Sequence, residues 1–310
     1  MVDFCLPSPL QKIENKLTKN KMVDLFIKRD DLIHPLISGN KYRKLKYNLL
    51  EILSFETPTM VVTFGGAFSN HIHALAAACA GLNLPSLAFI RGEIDLQNPT
   101  LNFCIANGMQ LVAVSREAYR QKENDPRIAQ YLSSLPKHTI IPEGGTNDLA
   151  LKGVSEILDE LDNDLLNSIS HVVLACGTGG TTAGLLISDK LKSKVISFSA
   201  LKSDHLKNEI MQMSYHKNAQ LLEVNTDFHF GGYAKWNDQL LQFIDVFEIE
   251  TGVPLDHVYN GKAMFGLMQM IASDKFEPGT KIIYIHTGGM QGKAGIDYLK
   301  AKKKAQGTLF

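Results

Sequence analysis

The chain has 310 residues, enough for about two domains, and its 32 basic residues balance its 32 acidic residues. A formal charge of zero argues against a nucleic-acid partner held mainly by charge. The apolar fraction of 45% is ordinary for a globular protein, no apolar run predicts a membrane span, and the first residues lack the pattern of a signal peptide.

The four cysteines, Cys5, Cys79, Cys104 and Cys176, form neither a CxxC pair nor a zinc spacing. We expect buried, reduced thiols and a cytoplasmic protein. His71 and His73 form an HxH pair, but no third ligand is suggested nearby, so we interpret them as hydrogen-bonding residues at a helix start and expect no metal.

Short apolar or β-branched runs alternate with helical stretches, which predicts mainly parallel sheets with helices on both faces. The predicted strands are Val23–Lys28, Met60–Phe64, Ser86–Ile90, Gln110–Val114, Thr139–Ile141, His171–Cys176, Val195–Ala200 and Lys281–His286. The clearest predicted helices are Lys41–Leu53, Ala74–Ala80, Leu151–Leu161 and Thr181–Lys192.

Four of the predicted strands lead into glycine-rich loops. These loops are TFGGAFSNH from Thr63, PEGGTN from Pro142, ACGTGGTTAG from Ala175 and IHTGG from Ile285. Glycine lets the backbone approach a ligand closely, and open parallel sheets bind ligands beyond the carboxyl ends of their strands. The four loops therefore predict a shared ligand crevice. Glu143 in the second loop is either a general base or a structural residue.

The third loop, residues 177–182, follows a strand and opens a helix, as a phosphate cradle does. It is not a dinucleotide fingerprint, because Thr182 stands where GxGxxG needs glycine, and it is not a Walker A loop. A small phosphate is one interpretation. A tight turn for close packing of strand and helix is the other.

Lys41 follows Ser38, Gly39 and Asn40 at a predicted helix start. A positive charge there opposes the helix dipole, which favours the neutral amine. A lysine with a lowered pKa can attack a carbonyl carbon, although a plain surface lysine is the alternative. Pyridoxal 5′-phosphate joins an aldehyde to a phosphate, so a reactive lysine together with a phosphate cradle points to this cofactor.

Together with further motifs, these residues make the sequence resemble a known family, that of 1-aminocyclopropane-1-carboxylate (ACC) deaminases and D-cysteine desulfhydrases. These are pyridoxal phosphate enzymes with the tryptophan synthase β-subunit type of fold. The motifs that carry the resemblance are KRDDL from Lys28, SGNKYRKL from Ser38, SNH from Ser69, GTGGTTAG from Gly177, VYNGKAMFGL from Val258 and IHTGG from Ile285.

The strand pattern and the resemblance together imply an α/β fold with two open, mainly parallel twisted sheets and helices on both faces, fold type II of the pyridoxal phosphate enzymes. A large cofactor-binding domain would combine residues 1–45 and 145–310. Residues 46–144 would form a small α/β domain, with the cofactor between the two. The resemblance also implies a homodimer and a small amino-acid substrate.

The resemblance further implies roles for individual residues. Lys41 would bind the cofactor covalently and later move the Cα proton, and Ser69 would serve the substrate carboxylate and a proton relay. Tyr233 and Tyr259 would face the substrate. The other cofactor-binding positions would be Lys44 near the phosphate, Asn70 at the 3′ oxygen, the cradle of Gly177, Thr178, Gly179, Gly180 and Thr181, and Asn260 and Thr287.

Two positions separate the activities of this family. ACC deaminases carry Glu after the second tyrosine and Leu before the last Gly-Gly pair, whereas this chain has Asn260 and Thr287. Desulfhydrases have small polar residues at both, so we predict a D-cysteine desulfhydrase, which yields pyruvate, sulfide and ammonia. The chain departs from the family in Asn260, where desulfhydrases usually have Thr, and in Ala234, where the family has Gly.

Three other functions stay open. One is ACC deaminase, which yields 2-oxobutyrate and ammonia. Another is a non-catalytic protein that binds pyridoxal phosphate, which leaves Ser69 and the two tyrosines without a purpose. The last is a nicotinamide-dependent oxidoreductase, which has no account of Lys41 and lacks the full GxGxxG motif.

Overall fold

The computed structural model describes residues 4–203 and 205–307. The strands in these ranges are β1 (Leu10–Ile13), β2 (Asp24–Lys28), β3 (Met60–Gly65), β4 (Ser86–Arg91), β5 (Met109–Val114), β6 (His138–Ile140), β7 (His171–Cys176), β8 (Lys194–Ser199), β9 (Leu222–Asn225) and β10 (Lys281–Ile285). The α-helices are α1 (Lys16–Lys21), α2 (Asn40–Leu53), α3 (Asn70–Gly81), α4 (Pro99–Ala106), α5 (Arg116–Gln121), α6 (Pro126–Ser134), α7 (Asp148–Ser155), α8 (Asn163–Ser168), α9 (Gly180–Leu186), α10 (Leu206–Met213), α11 (Asp238–Thr251), α12 (Asn260–Ala272) and α13 (Gly292–Gly307).

The strands form two sheets. The six-stranded sheet has the order β1-β2-β10-β7-β8-β9; β1 pairs antiparallel with β2, and every other neighbouring pair is parallel. The four-stranded sheet has the order β5-β4-β3-β6, and all of its pairs are parallel. The predicted α/β fold with two mainly parallel sheets is confirmed.

The chain divides into two compact units, which we name after their sheets. The four-stranded unit contains Lys44–Leu149 and residues 291–307, and the six-stranded unit contains residues 4–43 and Ala150–Met290. Three of the predicted site residues, Lys44, Ser69 and Asn70, belong to the four-stranded unit. The other predicted site residues belong to the six-stranded unit.

The central strands of each sheet are apolar and buried. Side chains alternate along a strand, so β10 serves two cores at once. Ile282 and Tyr284 pack with apolar residues of α11 and α12, while Ile283 and Ile285 pack with α8, α9 and α10. In the four-stranded unit, apolar residues of β3 and β4 pack with α5 and α6.

The structure corrects several predicted elements. The sequence analysis missed β1 and β9, which are short edge strands without a continuous apolar run. The predicted helices Leu151–Leu161 and Thr181–Lys192 are too long, because α7 ends at Ser155 and α9 at Leu186. Apolar residues after the end of each helix still pack into the same core, so the apolar pattern continues where the helix has ended.

The expectation of four buried thiols is wrong for Cys5, which is exposed; the other three are buried, and all four are free. Burial raises the pKa of Cys79 and Cys104 to about 12, so both thiols are protonated and unreactive at neutral pH. Within the described ranges, no cluster of side chains is suited to a metal, and no helix is long and apolar enough to cross a membrane.

Candidate active site

Lys41 lies in the first turn of α2, directly after Asn40. Its side chain is half-buried, and burial lowers the pKa of Lys41 from 10.5 to about 8. The sequence analysis expected a lowered pKa from the helix dipole, whereas the structure shows burial as the cause. At pH 7.5 roughly a quarter of such amines are neutral, against about one in a thousand for an ordinary lysine. Lys41 is therefore equipped to act as a nucleophile.

The residues before Lys41 lie against the loop that follows β10. Gly39 has φ of +63°, and a Cβ built on it would lie 2.1 Å from the carbonyl oxygen of Thr287. The Asn40 backbone N–H donates to the same oxygen at 3.2 Å. Glycine at 39 is thus required by this contact, which places the SGNKYRKL motif beside the glycine-rich IHTGG loop.

The loop from β7 to α9 is held equally tightly. Gly179 has φ of +86°, and a Cβ there would lie 2.6 Å from Ile210. A Cβ on Gly177 would come within 3.0 Å of the Tyr259 ring. Successive backbone N–H groups in a glycine-rich loop of this kind can bind an anion.

One hydrogen bond joins the Lys41 segment to this loop. The Asn40 side-chain amide donates to Thr181 Oγ1 at 2.9 Å, across 141 residues of sequence. A nucleophilic amine and a candidate phosphate cradle therefore occupy one region of the six-stranded unit. The tight-turn interpretation also holds, because Gly179 packs against α10.

Asn260, the fully buried first residue of α12, organises the neighbouring loop. Its Oδ1 accepts hydrogen bonds from the Thr287 N–H at 3.1 Å and the Thr287 hydroxyl at 3.2 Å. Its Nδ2 donates to Asp256 Oδ1 at 2.9 Å and to the Gly288 carbonyl at 2.8 Å. The two positions that distinguish the family's activities are thus in direct contact.

The two predicted tyrosines also meet. The rings of Tyr233 and Tyr259 are 6.1 Å apart and nearly edge-to-face. Burial, followed by interactions with Tyr233, raises the pKa of Tyr259 well above its ordinary value, so its hydroxyl stays protonated. Tyr233 is 44% exposed. Tyr259 is the more buried of the two residues and Tyr233 the more exposed.

Lys262 is a residue of this region whose part the sequence analysis did not recognise. Its ammonium group is buried and donates to the carbonyl oxygens of His229 at 2.9 Å and Gly232 at 2.8 Å, in the loop that carries Tyr233. Burial lowers the pKa of Lys262 to about 8, although Asp256 acts to raise it. A lone lysine directly before the apolar run AMFGLM was the available sequence signal.

A buried ion-pair network lies behind Lys41. Arg43 contacts Asp30 at 2.8 Å and Glu160 at 2.5 Å, and Lys28 contacts Glu160 at 2.5 Å. Burial acts to raise the pKa of Glu160, but Arg43 and Lys28 outweigh it and hold the pKa at about 2. The KRDDL and SGNKYRKL motifs are therefore two halves of one structural network.

In the four-stranded unit, Ser69 caps α3. Its Oγ accepts from the backbone N–H of His71 at 3.2 Å, and Asn70 is the first residue of the helix. His71 also contacts Thr63 Oγ1 at 2.9 Å, and His73 stacks on Phe103, so both histidines have structural contacts.

Lys44 reaches the loop after β6 within the same unit. Its Nζ donates to Thr146 Oγ1 at 3.0 Å and to the Gly144 carbonyl at 3.3 Å. Glu143 of that loop accepts from the Tyr119 hydroxyl and pairs with Lys122, both at 2.6 Å. These contacts fit the interpretation of Glu143 as a structural residue.

The chain is similar to known proteins over most of its length. Residues 3–288 match the model of a family described as pyridoxal-phosphate dependent enzymes. A putative 1-aminocyclopropane-1-carboxylate deaminase of Pyrococcus horikoshii is 31% identical over 301 residues, covering 92% of this chain and 90% of that protein.

Two further similarities extend over nearly the whole chain. A mitochondrial bifunctional D-cysteine desulfhydrase/1-aminocyclopropane-1-carboxylate deaminase of Arabidopsis thaliana is 32% identical, covering 93% of this chain and 77% of that protein. A crystal structure of an ACC deaminase homologue superposes with a TM-score of 0.80 at 27% identity, covering 96% of this chain and 94% of that one.

Proposed function

We propose, because this chain belongs to the family of pyridoxal-phosphate dependent enzymes, that it converts D-cysteine to pyruvate, hydrogen sulfide and ammonia. The chain is a pyridoxal 5′-phosphate-dependent lyase that deaminates a small amino acid. Which amino acid it uses is the subject of the proposal.

The cofactor fits the residues of the six-stranded unit. A pKa of about 8 provides Lys41 with a neutral amine for the cofactor aldehyde. The loop of Gly177 to Thr181 is held against its neighbours by two glycines, since a Cβ on Gly177 would meet Tyr259 and one on Gly179 would meet Ile210. A glycine-rich loop of this kind can present its backbone N–H groups to a phosphate. The proposal rests chiefly on the 2.9 Å hydrogen bond from Asn40 to Thr181, which ties the amine to the cradle.

Pyridoxal 5′-phosphate, when bound, withdraws electrons from the substrate Cα and so acidifies its proton. We assign removal of that proton to Lys41 Nζ, which accepts protons as a neutral amine. The Tyr259 hydroxyl stays protonated and can donate to the departing sulfur. Loss of the Cα proton and the thiolate, followed by addition of one water, balances as pyruvate, hydrogen sulfide and ammonia.

The environment of Asn260 supports D-cysteine over ACC. By resemblance, ACC deaminases place a glutamate here. In this chain that side chain would bring a second carboxylate against Asp256, which lies 2.9 Å from Asn260 Nδ2. Two adjacent buried carboxylates repel each other strongly. The polar Thr287 beside Asn260 also matches the desulfhydrases.

ACC is the second candidate substrate, because relatives of this chain are named for that activity. In that case the Cα ring bond opens, 2-oxobutyrate and ammonia form, and Tyr259 or Tyr233 assists. The roles implied for Ser69, Asn70 and Lys44 stay predictions for either substrate.

The deciding experiment offers D-cysteine and ACC together to the purified enzyme and identifies the 2-oxoacid formed. We expect pyruvate alone. Formation of 2-oxobutyrate would replace the proposal with ACC deamination. Lys41→Ala should abolish turnover, while the matched Lys46→Ala variant on the same helix should retain it. Borohydride treatment of the wild type, followed by peptide mass spectrometry, should find the cofactor on Lys41.

The proposal includes a homodimer in the cytoplasm, as the family resemblance and the cysteine pattern imply. Light scattering of the purified enzyme should give twice the 34.3 kDa chain mass. A monomer that retains full activity would remove the dimer from the proposal.

A further inference from the structure

A large cavity lies at the carboxyl end of the four-stranded sheet. Its volume is about 1020 Å³, at the upper end of the roughly 300–1,000 Å³ usual for small-molecule sites. Every strand of the sheet contributes to its lining, through Gly66 after β3, Arg91 at the end of β4, Arg116 after β5 and Glu143 after β6. Open α/β sheets bind ligands at this edge.

Positive side chains dominate the cavity. Its charged lining residues are Arg91, Glu93, Arg116, Arg120, Lys122 and Glu143, four basic and two acidic. The whole chain has no net charge, so this surplus of two positive charges is a local concentration. A cleft lined by one sign of charge concentrates ions of the opposite sign.

One of the four cations is already neutralised. Lys122 Nζ lies 2.6 Å from Glu143 Oε2, and the Tyr119 hydroxyl donates to the other oxygen of that carboxylate at 2.6 Å. Lys122 also lies 3.7 Å from the centre of the Tyr119 ring. Glu143 is therefore already engaged by Lys122 and Tyr119.

The three arginines lack such partners. In the part of the chain that the structure describes, Arg91, Arg116 and Arg120 form no ion pair and no side-chain hydrogen bond. Arg116 and Arg120 are four residues apart on α5, so their side chains are neighbours. Arg91 comes from β4 and lies above the Tyr119 ring, 5.6 Å from its centre.

We infer that this cavity binds an organic anion carrying at least two phosphate or carboxylate groups. A guanidinium group is a planar fork that matches the oxygens of either group. Three such forks on two elements exceed what one oxyanion requires, and the volume accommodates a ligand larger than an amino acid. A bound polyanion relieves the repulsion among the three guanidinium groups. The inference does not depend on whether D-cysteine is the substrate.

The test titrates pyrophosphate and, separately, citrate into the holoenzyme at fixed ionic strength, with calorimetric detection. The cofactor stays in place so that the probes do not occupy its phosphate cradle, and its visible absorbance reports retention. We expect saturable binding with Kd below about 1 mM for at least one probe. Tighter binding of pyrophosphate identifies a phosphate ligand, and tighter binding of citrate identifies a carboxylate ligand.

Variants locate the site. Arg116→Gln combined with Arg120→Gln should weaken binding at least tenfold, and Arg91→Gln, on a different element, should weaken it severalfold. The control Arg127→Gln removes the same charge outside the cavity, where Arg127 pairs with Asp125, and should change Kd less than twofold. The inference is overturned if neither probe binds, or if the control weakens binding as much as the double variant.

Discussion

Each unit contains arginines close to one another or to carboxylates, and Arg43 in one unit differs sharply from Arg116 and Arg120 in the other. In the six-stranded unit, Arg43 is 1% exposed and paired with two carboxylates, Asp30 and Glu160. In the four-stranded unit, Arg116 and Arg120 are exposed and line a cavity. A buried cation must be paired, because an isolated charge is very costly away from water. An exposed cation can stay free for a ligand, so the first arrangement holds the fold and the second is available for binding.

The largest expected effect follows from breaking the buried network. Glu160→Gln leaves Lys28 without its carboxylate and Arg43 with one partner instead of two. We expect a loss of about 3–5 kcal/mol in the free energy of unfolding, measured by urea denaturation. The matched control Glu14→Gln removes a carboxylate from exposed ion pairs and should cost less than about 1 kcal/mol. Equal losses would contradict the contrast between buried and exposed pairs.

Acid should weaken the same network. The pKa of Glu160 is about 2 in the folded protein against an ordinary value of 4.5. Between pH 2 and 4.5 the unfolded state therefore binds more protons than the folded state. The stability that ionised Glu160 contributes is lost as the pH falls from about 4.5 towards 2. The loss amounts to about 3 kcal/mol. Unfolding free energies measured across this range should fall more steeply in wild type than in Glu160→Gln; parallel slopes would refute the assignment.

Lys262 is a third kind of cation in this comparison. It is buried like Arg43, but its hydrogen-bond partners are carbonyl oxygens rather than carboxylates. Lys262→Met removes both hydrogen bonds that hold the loop of Tyr233. We expect KM for the amino-acid substrate to rise about tenfold, equivalent to about 1.4 kcal/mol, with a smaller change in kcat. The control Lys275→Met, at an exposed position, should leave both constants unchanged. A fall in kcat with unchanged KM would argue against a positioning role.

The smallest effect is expected in the four-stranded unit. Arg116→Gln should change the free energy of unfolding by no more than about 0.5 kcal/mol, as is usual for exposed positions. The same substitution at Arg43 should cost several kilocalories per mole, because it leaves the buried Asp30 without its cation and Glu160 with Lys28 alone. A thermal or urea denaturation of both variants provides the comparison. If Arg116→Gln were equally destabilising, its side chain would be structural.

Local patterns in the sequence predicted much of this architecture. The buried parallel strands and the glycine-rich loops after them were visible because apolar runs and glycines are contiguous. The edge strands β1 and β9 were not, since each is only partly buried. The site residues came from motifs, whereas their partners lie far away in sequence. Nothing local indicates that Glu160 meets Arg43 or that Thr181 meets Asn40.

The arginine cavity was not predicted from the sequence for the same reason, because its residues lie far apart along the chain. Arg91 and Arg116 are unremarkable as single residues and lie in no short motif, and nothing in the PEGGTN motif relates its Glu143 to them. They come together because the parallel sheet places the ends of β4, β5 and β6 along one edge. A surface charge becomes informative only when the strand order is known.

The strand order also has a consequence for biosynthesis. In the six-stranded sheet, β2 lies between β1 and β10, the first and last strands of the chain. During translation β2 emerges early but lacks one neighbour until residues 281–285 leave the ribosome. The strands of the four-stranded sheet are complete by residue 140. We therefore expect the four-stranded sheet to assemble while β2 still lacks its β10 neighbour. One edge of β2 stays exposed during this time, which favours chaperone contact with this strand.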